Sequence, residues 1–338
     1  MFLLLMPALA ADADAKIING EDATMDDYPA TGALLTDVEL FGSRAVALSC
    51  SSTLIAPDVV LLAAHCVDEM LLTFGVGTVH AFGFSRQADL TEWAQGASNF
   101  PEDTVLAYDF VMHPDWDVSS STGNSGLGVT RFDDIALLFL EEPVDVEFAY
   151  LLEDDELDWL QEDVDVEVVG WGMQLHQDSQ WEPPPAGSFG IKQMGVSHVN
   201  ELGDWEFQVG AIESDVRKCK GDSGGPSFLR AQADEHDGQL RLVGVTSHSY
   251  DESQCESLGG VDTRVDAYLG WIDTEMRARC EDGGRSWCEE EGIPVPPNVD
   301  IETVPETEEK AGLLGCVTAP TVPWALTGLL GLLAIRRR

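Results

Sequence analysis

From about residue 30 to residue 275 the chain runs in short apolar segments, interrupted by clusters of Gly, Pro, Asp and Ser. The segments at 59–63, 135–140, 164–169 and 242–246 are rich in Val, Ile, Leu and Phe, a composition that suits buried strands. Many such strands at close spacing predict an all-β domain, a barrel or a sandwich. One helix is expected near the end of this region, over about 264–279. Acidic insertions such as 153–158 read as solvated loops.

Outside this region the pattern changes. Residues 1–10, MFLLLMPALA, are apolar and end in small side chains, which resembles the core of a signal peptide with its cleavage site. Residues 11–16, ADADAK, are polar and end at Lys16 just before two isoleucines, so they read as a short propeptide ending in a processing site. Residues 281–312 hold ten acidic residues and four prolines. The 280–315 stretch is therefore expected to be an extended, self-repelling linker. In 316–338, Cys316 precedes an apolar run about long enough to cross a bilayer, then Arg336–Arg338, which would stay on the cytoplasmic side.

Charge and cysteines narrow the setting. The 338 residues carry 61 acidic and 18 basic side chains, a formal net charge of -43, which argues against nucleic acid as a partner. With only five lysines, the balance also fits a salty medium, where screening over roughly 10 Å or less relieves self-repulsion. The seven cysteines, Cys50, Cys66, Cys219, Cys255, Cys280, Cys288 and Cys316, lack zinc-ligand spacing, so no metal or other cofactor is expected. Disulfides in an oxidising, extracytoplasmic compartment are the better reading.

Three local signals carry chemistry. LLAAHC ends a strand at His65, DDIALLFL opens one at Asp134, and CKGDSGGP presents Ser223 among glycines. Acyl transfer needs a nucleophile, a base, a group that orients the base, and donors for the developing oxyanion. GDSGG also fits the G-x-S-x-G elbow of α/β-hydrolases. There the order is Ser, acid, His, whereas here it is His, Asp, Ser. The flanking segments also lack alternating strands and helices.

In these motifs the chain resembles the chymotrypsin/trypsin-like serine protease family. IING at 17–20, STLIAPDVVLLAAHC at 52–66, HPDW at 113–116 and DIALLFLEEPV at 134–144 match in order. VVGWG at 168–172, CKGDSGGP at 219–226 and GVDTRVDAYLGWI at 260–272 follow. The resemblance implies a protease domain over 17–279, built as two six-stranded antiparallel β-barrels with a C-terminal helix and the site between the barrels. It implies His65, Asp134 and Ser223 as a catalytic triad and the N–H groups of Gly221 and Ser223 as an oxyanion hole. Ser247 would bind substrate backbone and hydrogen-bond near Asp134, with Ser249 and Gly260 lining the pocket. Cleavage after Lys16 would free the amino group of Ile17 to pair with Asp222. The family's bridges imply Cys50–Cys66 and Cys219–Cys255, while Cys280–Cys288 is expected without family precedent. Polypeptides are the implied substrates. The end of the chain resembles a cell-surface sorting signal of myxobacterial type, with Cys316 as the processed or modified residue. The other reading is a permanent single-span anchor. Membrane attachment through this tail or a sorting enzyme, and a secreted or surface location, follow from either.

The chain also departs from the family. Arg217 stands six residues before Ser223, where trypsin-like members carry an Asp at the pocket floor, and Lys218 follows it. Three readings remain open. Arg217 binds an acidic substrate side chain, or Asp262 neutralises Arg217 from within and small side chains are preferred, or Arg217 reaches out to solvent. In any of these the enzyme does not cut at Lys16 itself, so a separate trypsin-like activator is expected. His248 and Ser249 replace the family's Trp–Gly. Two other functions compete: an inactive homologue acting as a surface binding module, and a serine esterase.

Overall fold

The computed structural model describes residues 17–117, 127–152, 156–174, 187–231, 238–251 and 258–280. The propeptide, linker and tail expectations, with Lys16, Cys255, Cys288 and Cys316, lie outside these residues. Among the described residues no helix is long and apolar enough to cross a membrane.

The first barrel contains β2 (Thr31–Leu40), β3 (Ser43–Ala56), β4 (Val59–Leu62), β5 (Thr78–Ser85), β6 (Val105–Met112) and β7 (Ala136–Leu140), following the two-residue β1 (Glu21–Asp22). They close in the order β2-β3-β4-β7-β6-β5, all antiparallel. The runs VVLL in β4 and ALLFL in β7 are buried along their whole length, so their apolar side chains alternate between two packed faces. The 135–140 run expected as a strand is thus β7, one residue shorter.

After β8 (Tyr150–Leu151), the second barrel contains β9 (Asp165–Gly170), β10 (Gln193–Leu202), β11 (Glu206–Val209), β12 (Pro226–Arg230), β13 (Leu240–Ser249) and β14 (Gly260–Arg264). Its order is β10-β11-β14-β13-β12-β9, and β9 also pairs with β10 to close it. The expected two six-stranded barrels are therefore observed. β1 adds to the edge of β10, and β8 lies parallel to β13.

The helix begins later than expected. α1 (Glu69–Thr73) is a single short helix capped by Asp68, and α2 spans Leu269–Cys280. Residues 264–268 are taken elsewhere, because Arg264 ends β14 in register with Gly244 and Asp266–Tyr268 forms a 3-10 turn. Leu269, Ile272 and Met276, spaced three and four apart, bury one face of α2. Arg279 fastens its end to the first barrel, stacking 4.2 Å over Phe139 and bonding Asp109 at 3.0 Å. His113 of the HPDW segment meets the rings of Tyr268 and Trp271, at centroid distances of 5.1 and 5.3 Å.

The reading of 153–158 as a solvated loop is corrected at Glu156. Its carboxylate is buried and takes two bonds from Arg241 of β13, at 2.7 and 2.9 Å. A planar fork matching a carboxylate satisfies both charges away from water. Glu156→Ala would strand the guanidinium, and a loss of about 3 kcal/mol is expected in urea unfolding. A loss under about 0.5 kcal/mol would mean that solvent replaces the carboxylate there.

Cys50 and Cys66 form the expected bridge, with Cα atoms 6.1 Å apart. Cys219 and Cys280 are also disulfide-bonded, to partners outside the described residues.

Candidate active site

β4 ends in a single 3-10 turn, Ala64–Cys66, which presents His65 at the rim of the first barrel. The turn is pinned by the Cys50–Cys66 bridge from below. Asp134 sits just before β7 and is almost fully buried. Its Oδ1 accepts the His65 main-chain N–H at 2.9 Å, and its Oδ2 lies 2.7 Å from His65 Nδ1. A carboxylate only accepts, so the neutral His65 carries its proton on Nδ1 and leaves Nε2 with a free lone pair. Burial disfavours the His65 cation, but the Asp134 carboxylate outweighs it and raises His65 above the ordinary histidine range. Burial likewise opposes the Asp134 anion, but His65 and the Ser247 hydroxyl outweigh it and hold the carboxyl below its usual range.

Ser247 reaches Asp134 through a local irregularity in the ladder. Thr246 pairs with Asp262 and His248 with Val261, so Ser247 is the extra residue of a β-bulge between them. Such an extra residue bends its strand and re-aims its side chain. Ser247 Oγ ends 2.6 Å from Asp134 Oδ2. Ser249 pairs with Gly260 at the end of the same ladder.

Ser223 sits in the turn before β12, and the first barrel holds that turn. Ser51 of β3 donates its N–H to Ser223 O at 2.8 Å and its hydroxyl to Gly221 O at 3.0 Å. It also accepts the Trp171 N–H at 3.1 Å. Gly224 packs so closely that a Cβ there would lie 2.5 Å from Ser51 O and 3.2 Å from Ala63 N, beside the His65 turn. Gly221 has φ +97°, a conformation that favours glycine, and a Cβ would meet the Phe189 ring at 2.4 Å. The N–H groups of Gly221 and Ser223 donate to nothing among the described residues, and Ser223 Oγ makes no hydrogen bond there. His65 Nε2 rests 3.7 Å from Cys66 Sγ.

Asp222 points the other way, into a recess made by glycines. A Cβ on Gly170 or Gly172 would lie 2.1 or 2.3 Å from its carboxylate oxygens, which explains the glycines of VVGWG. Oδ1 takes the Gly172 N–H and Oδ2 the Cys219 N–H, both at 2.8 Å. Burial still pushes the carboxyl up to about 6. Nearby, Ile17 is fully buried in the second barrel's core, Ile18 pairs with Arg217, and Asn19 bonds Asp215 O at 2.9 Å.

The surroundings of Arg217 differ from what the neighbouring charges suggested. Asp262 does not neutralise Arg217. It pairs with Lys218 at 2.6 Å, and Lys218 Nζ also reaches Ser227 Oγ at 2.8 Å. Arg217 is only 6% exposed, so it does not reach out to solvent either. Its Nε bonds Gly210 O at 3.1 Å and its Nη2 bonds Ile212 O at 3.0 Å.

The sequence model of the trypsin family, described as "Trypsin", matches residues 17–272. The chain belongs to the trypsin family. As a serine endopeptidase of that family, it resembles phenoloxidase-activating factor 3 of Holotrichia diomphalia, at 28% identity over 78% of this chain and 73% of that one. Rat chymotrypsin-C is 26% identical over 80% of this chain and 92% of its own length. Human chymotrypsin-like elastase family member 3B is 27% identical over 77% and 88%.

Two further residues shape this trypsin-family site without a motif to announce them. Ser51 of β3 holds the Ser223 turn from the opposite barrel. Glu206 of β11 is fully buried and accepts the Thr130 N–H at 2.8 Å, bracing the segment that leads to Asp134. Burial, with Asp134 nearby, pushes Glu206 up to about 8. An acidic residue between Trp205 and Phe207 was the only signal.

Proposed function

We propose that the protein is a secreted serine endopeptidase, stored as a precursor, with Ser223 as nucleophile, His65 as base and Asp134 as the group that orients the base. The observation that carries this reading is the buried Asp134 carboxylate, which takes bonds from the His65 main chain, the His65 ring and Ser247 together. Ser223 Oγ attacks the scissile carbonyl carbon and its proton passes to His65 Nε2. The undonated N–H groups of Gly221 and Ser223 receive the oxyanion. His65 then protonates the leaving amine, and water releases the acyl group by the same steps. The Ser223–His65 bond absent at rest would form when substrate closes the site, since such bonds are often long before substrate binds.

Processing after Lys16 is the proposed switch. The Asp222 carboxylate has two N–H donors and, among the described residues, only Lys218 as a cation that favours its charge. Ile17 has φ 22°, an uncommon and strained value for a β-branched residue that is still joined to the preceding segment. Cutting the chain there would free its amino group and let it settle beside Asp222.

We further propose that substrates are cut after acidic residues. Arg217 stands six residues before Ser223, where trypsin-like members carry an Asp, so a guanidinium replaces a carboxylate at that position. That change of sign disfavours Lys and Arg in the pocket. The full-length precursor, cut after Lys16 by an added trypsin-like protease that is then removed, is offered a diverse peptide library in moderate salt. Ser223→Ala sets the background. Cleavage after Glu or Asp is expected, at least tenfold over other residues. Cleavage after Lys or Arg would overturn the charge argument, and cleavage after small residues would show that Arg217 does not meet the substrate side chain.

A further inference from the structure

His248, where the resembling family carries Trp, is tied into the site by both ring nitrogens. Nδ1 lies 3.1 Å from Ser247 Oγ, and Nε2 lies 3.2 Å from the carbonyl oxygen of Gly128. The ring packs edge-on against Phe132, with centroids 4.6 Å apart. Gly128 in turn donates its N–H to Tyr250 O at 2.7 Å, so the segment before Asp134 lies along the end of β13.

Counting protons assigns directions to these bonds. The Ser247 hydroxyl has one proton, and the short, charge-assisted bond to Asp134 at 2.6 Å takes it. Ser247 Oγ can then only accept from His248, so Nδ1 carries a proton. Gly128 O also only accepts, so Nε2 needs one as well. Both bonds together require the imidazolium, and a neutral ring keeps one of them. On Nδ1 that proton meets Ser247 Oγ, and on Nε2 it meets Gly128 O.

We propose that His248 is a positioning residue of the catalytic relay, a second histidine arm that acts on Asp134 through Ser247. This rests on the reading of His65, Asp134 and Ser223 as the triad. A donor on Ser247 Oγ strengthens the bond that Ser247 makes to Asp134, because linked hydrogen bonds polarise one another. Asp134 then holds its negative charge more comfortably and His65 becomes a weaker base. The groups around His248 do not all favour its cation. Burial opposes it most, the Gly128 carbonyl, Asp134 and Asp262 favour it, and His65 opposes it, leaving the ring below the ordinary histidine range. His248 is therefore neutral while His65 is working, and in the proposed arm its one ring proton sits on the Ser247 side.

The test uses the processed full-length protein and His248→Phe, which keeps an aromatic ring against Phe132 but has no proton to give. Two measurements are made: the pH dependence of kcat and KM, and the titration of the His65 ring by 15N NMR. His248→Phe is expected to move the His65 titration and the acid limb of kcat upward by about half a unit to one unit. One pH unit below the limb, kcat falls roughly three- to tenfold while KM changes less than twofold. Superimposable limbs and titrations would overturn the proposal, whatever happens to Tm. Should His248→Phe fail to fold, the unsubstituted protein decides: the His65 shifts should show a second inflection where His248 titrates, and Ser247→Ala should remove it. A single inflection in the unsubstituted protein sinks the arm. If the unsubstituted protein shows no Ser223-dependent hydrolysis, the triad reading fails, and the NMR titration still decides the coupling.

Discussion

Replacing Ser223 with alanine is expected to lower kcat by about 10⁵- to 10⁶-fold, the scale on which triad enzymes lose activity when the nucleophile is removed. The fold should not notice. Ser223 Oγ bonds nothing among the described residues, while the contacts that hold the turn run through the Ser223 and Gly221 carbonyl oxygens, which alanine keeps. Hydrolysis assays and a thermal melt on the same sample check both halves. A loss under tenfold with an unchanged melt would remove Ser223 from the chemistry. A large loss with a lowered Tm would mean that the hydroxyl was structural after all. Adding His65→Ala to Ser223→Ala should cost little more, because residues that act as one unit do not contribute additively.

Blocking the cut after Lys16 is the second large effect. A Lys16→Gln precursor should remain at least 10²- to 10³-fold less active than the processed protein, the scale set by losing one partner of a buried pair. It should also carry a signature in pH. In the unprocessed chain Asp222 is pushed up to about 6, above its value in the unfolded chain, so between about pH 4 and 6 the folded state binds more protons than the unfolded one. Stability contributed by the neutral carboxyl is present below pH 4 and is lost as pH rises through 6. Once the Ile17 ammonium is beside Asp222 the carboxyl is held low and this loss disappears. Thermal melts of the two forms from pH 4 to 7 should therefore diverge as pH rises. Parallel curves would mean that the amino group does not reach the recess.

Much of this could be read before any coordinates. Runs such as VVLL and ALLFL announce strands because branched side chains need two buried faces, and the order of His65, Asp134 and Ser223 separates this site from the hydrolase elbow. The surroundings of Arg217 were harder. Sequence placed Arg217 and Asp262 in the same neighbourhood, but which of two adjacent cations meets a carboxylate depends on contacts made only on folding. In the folded chain it is Lys218 that takes the carboxylate. Glu156 was hidden for a related reason. A carboxylate among other acidic residues looks solvated until a guanidinium from a strand 85 residues away is found against it. His248 was visible as a departure from the family, but one of its contacts is with Gly128, 120 residues away in sequence.

The single residue Ser51 touches the nucleophile turn, the oxyanion turn and the start of the Trp171 segment, and it belongs to the opposite barrel. The cleft between the barrels is thus sutured at the turn that carries Ser223. An inhibitor need not resemble a substrate to silence such an enzyme. A wedge that parts the barrels by the length of one hydrogen bond would slacken the carbonyls of Ser223 and Gly221 together, leaving every triad side chain present and none of them in step.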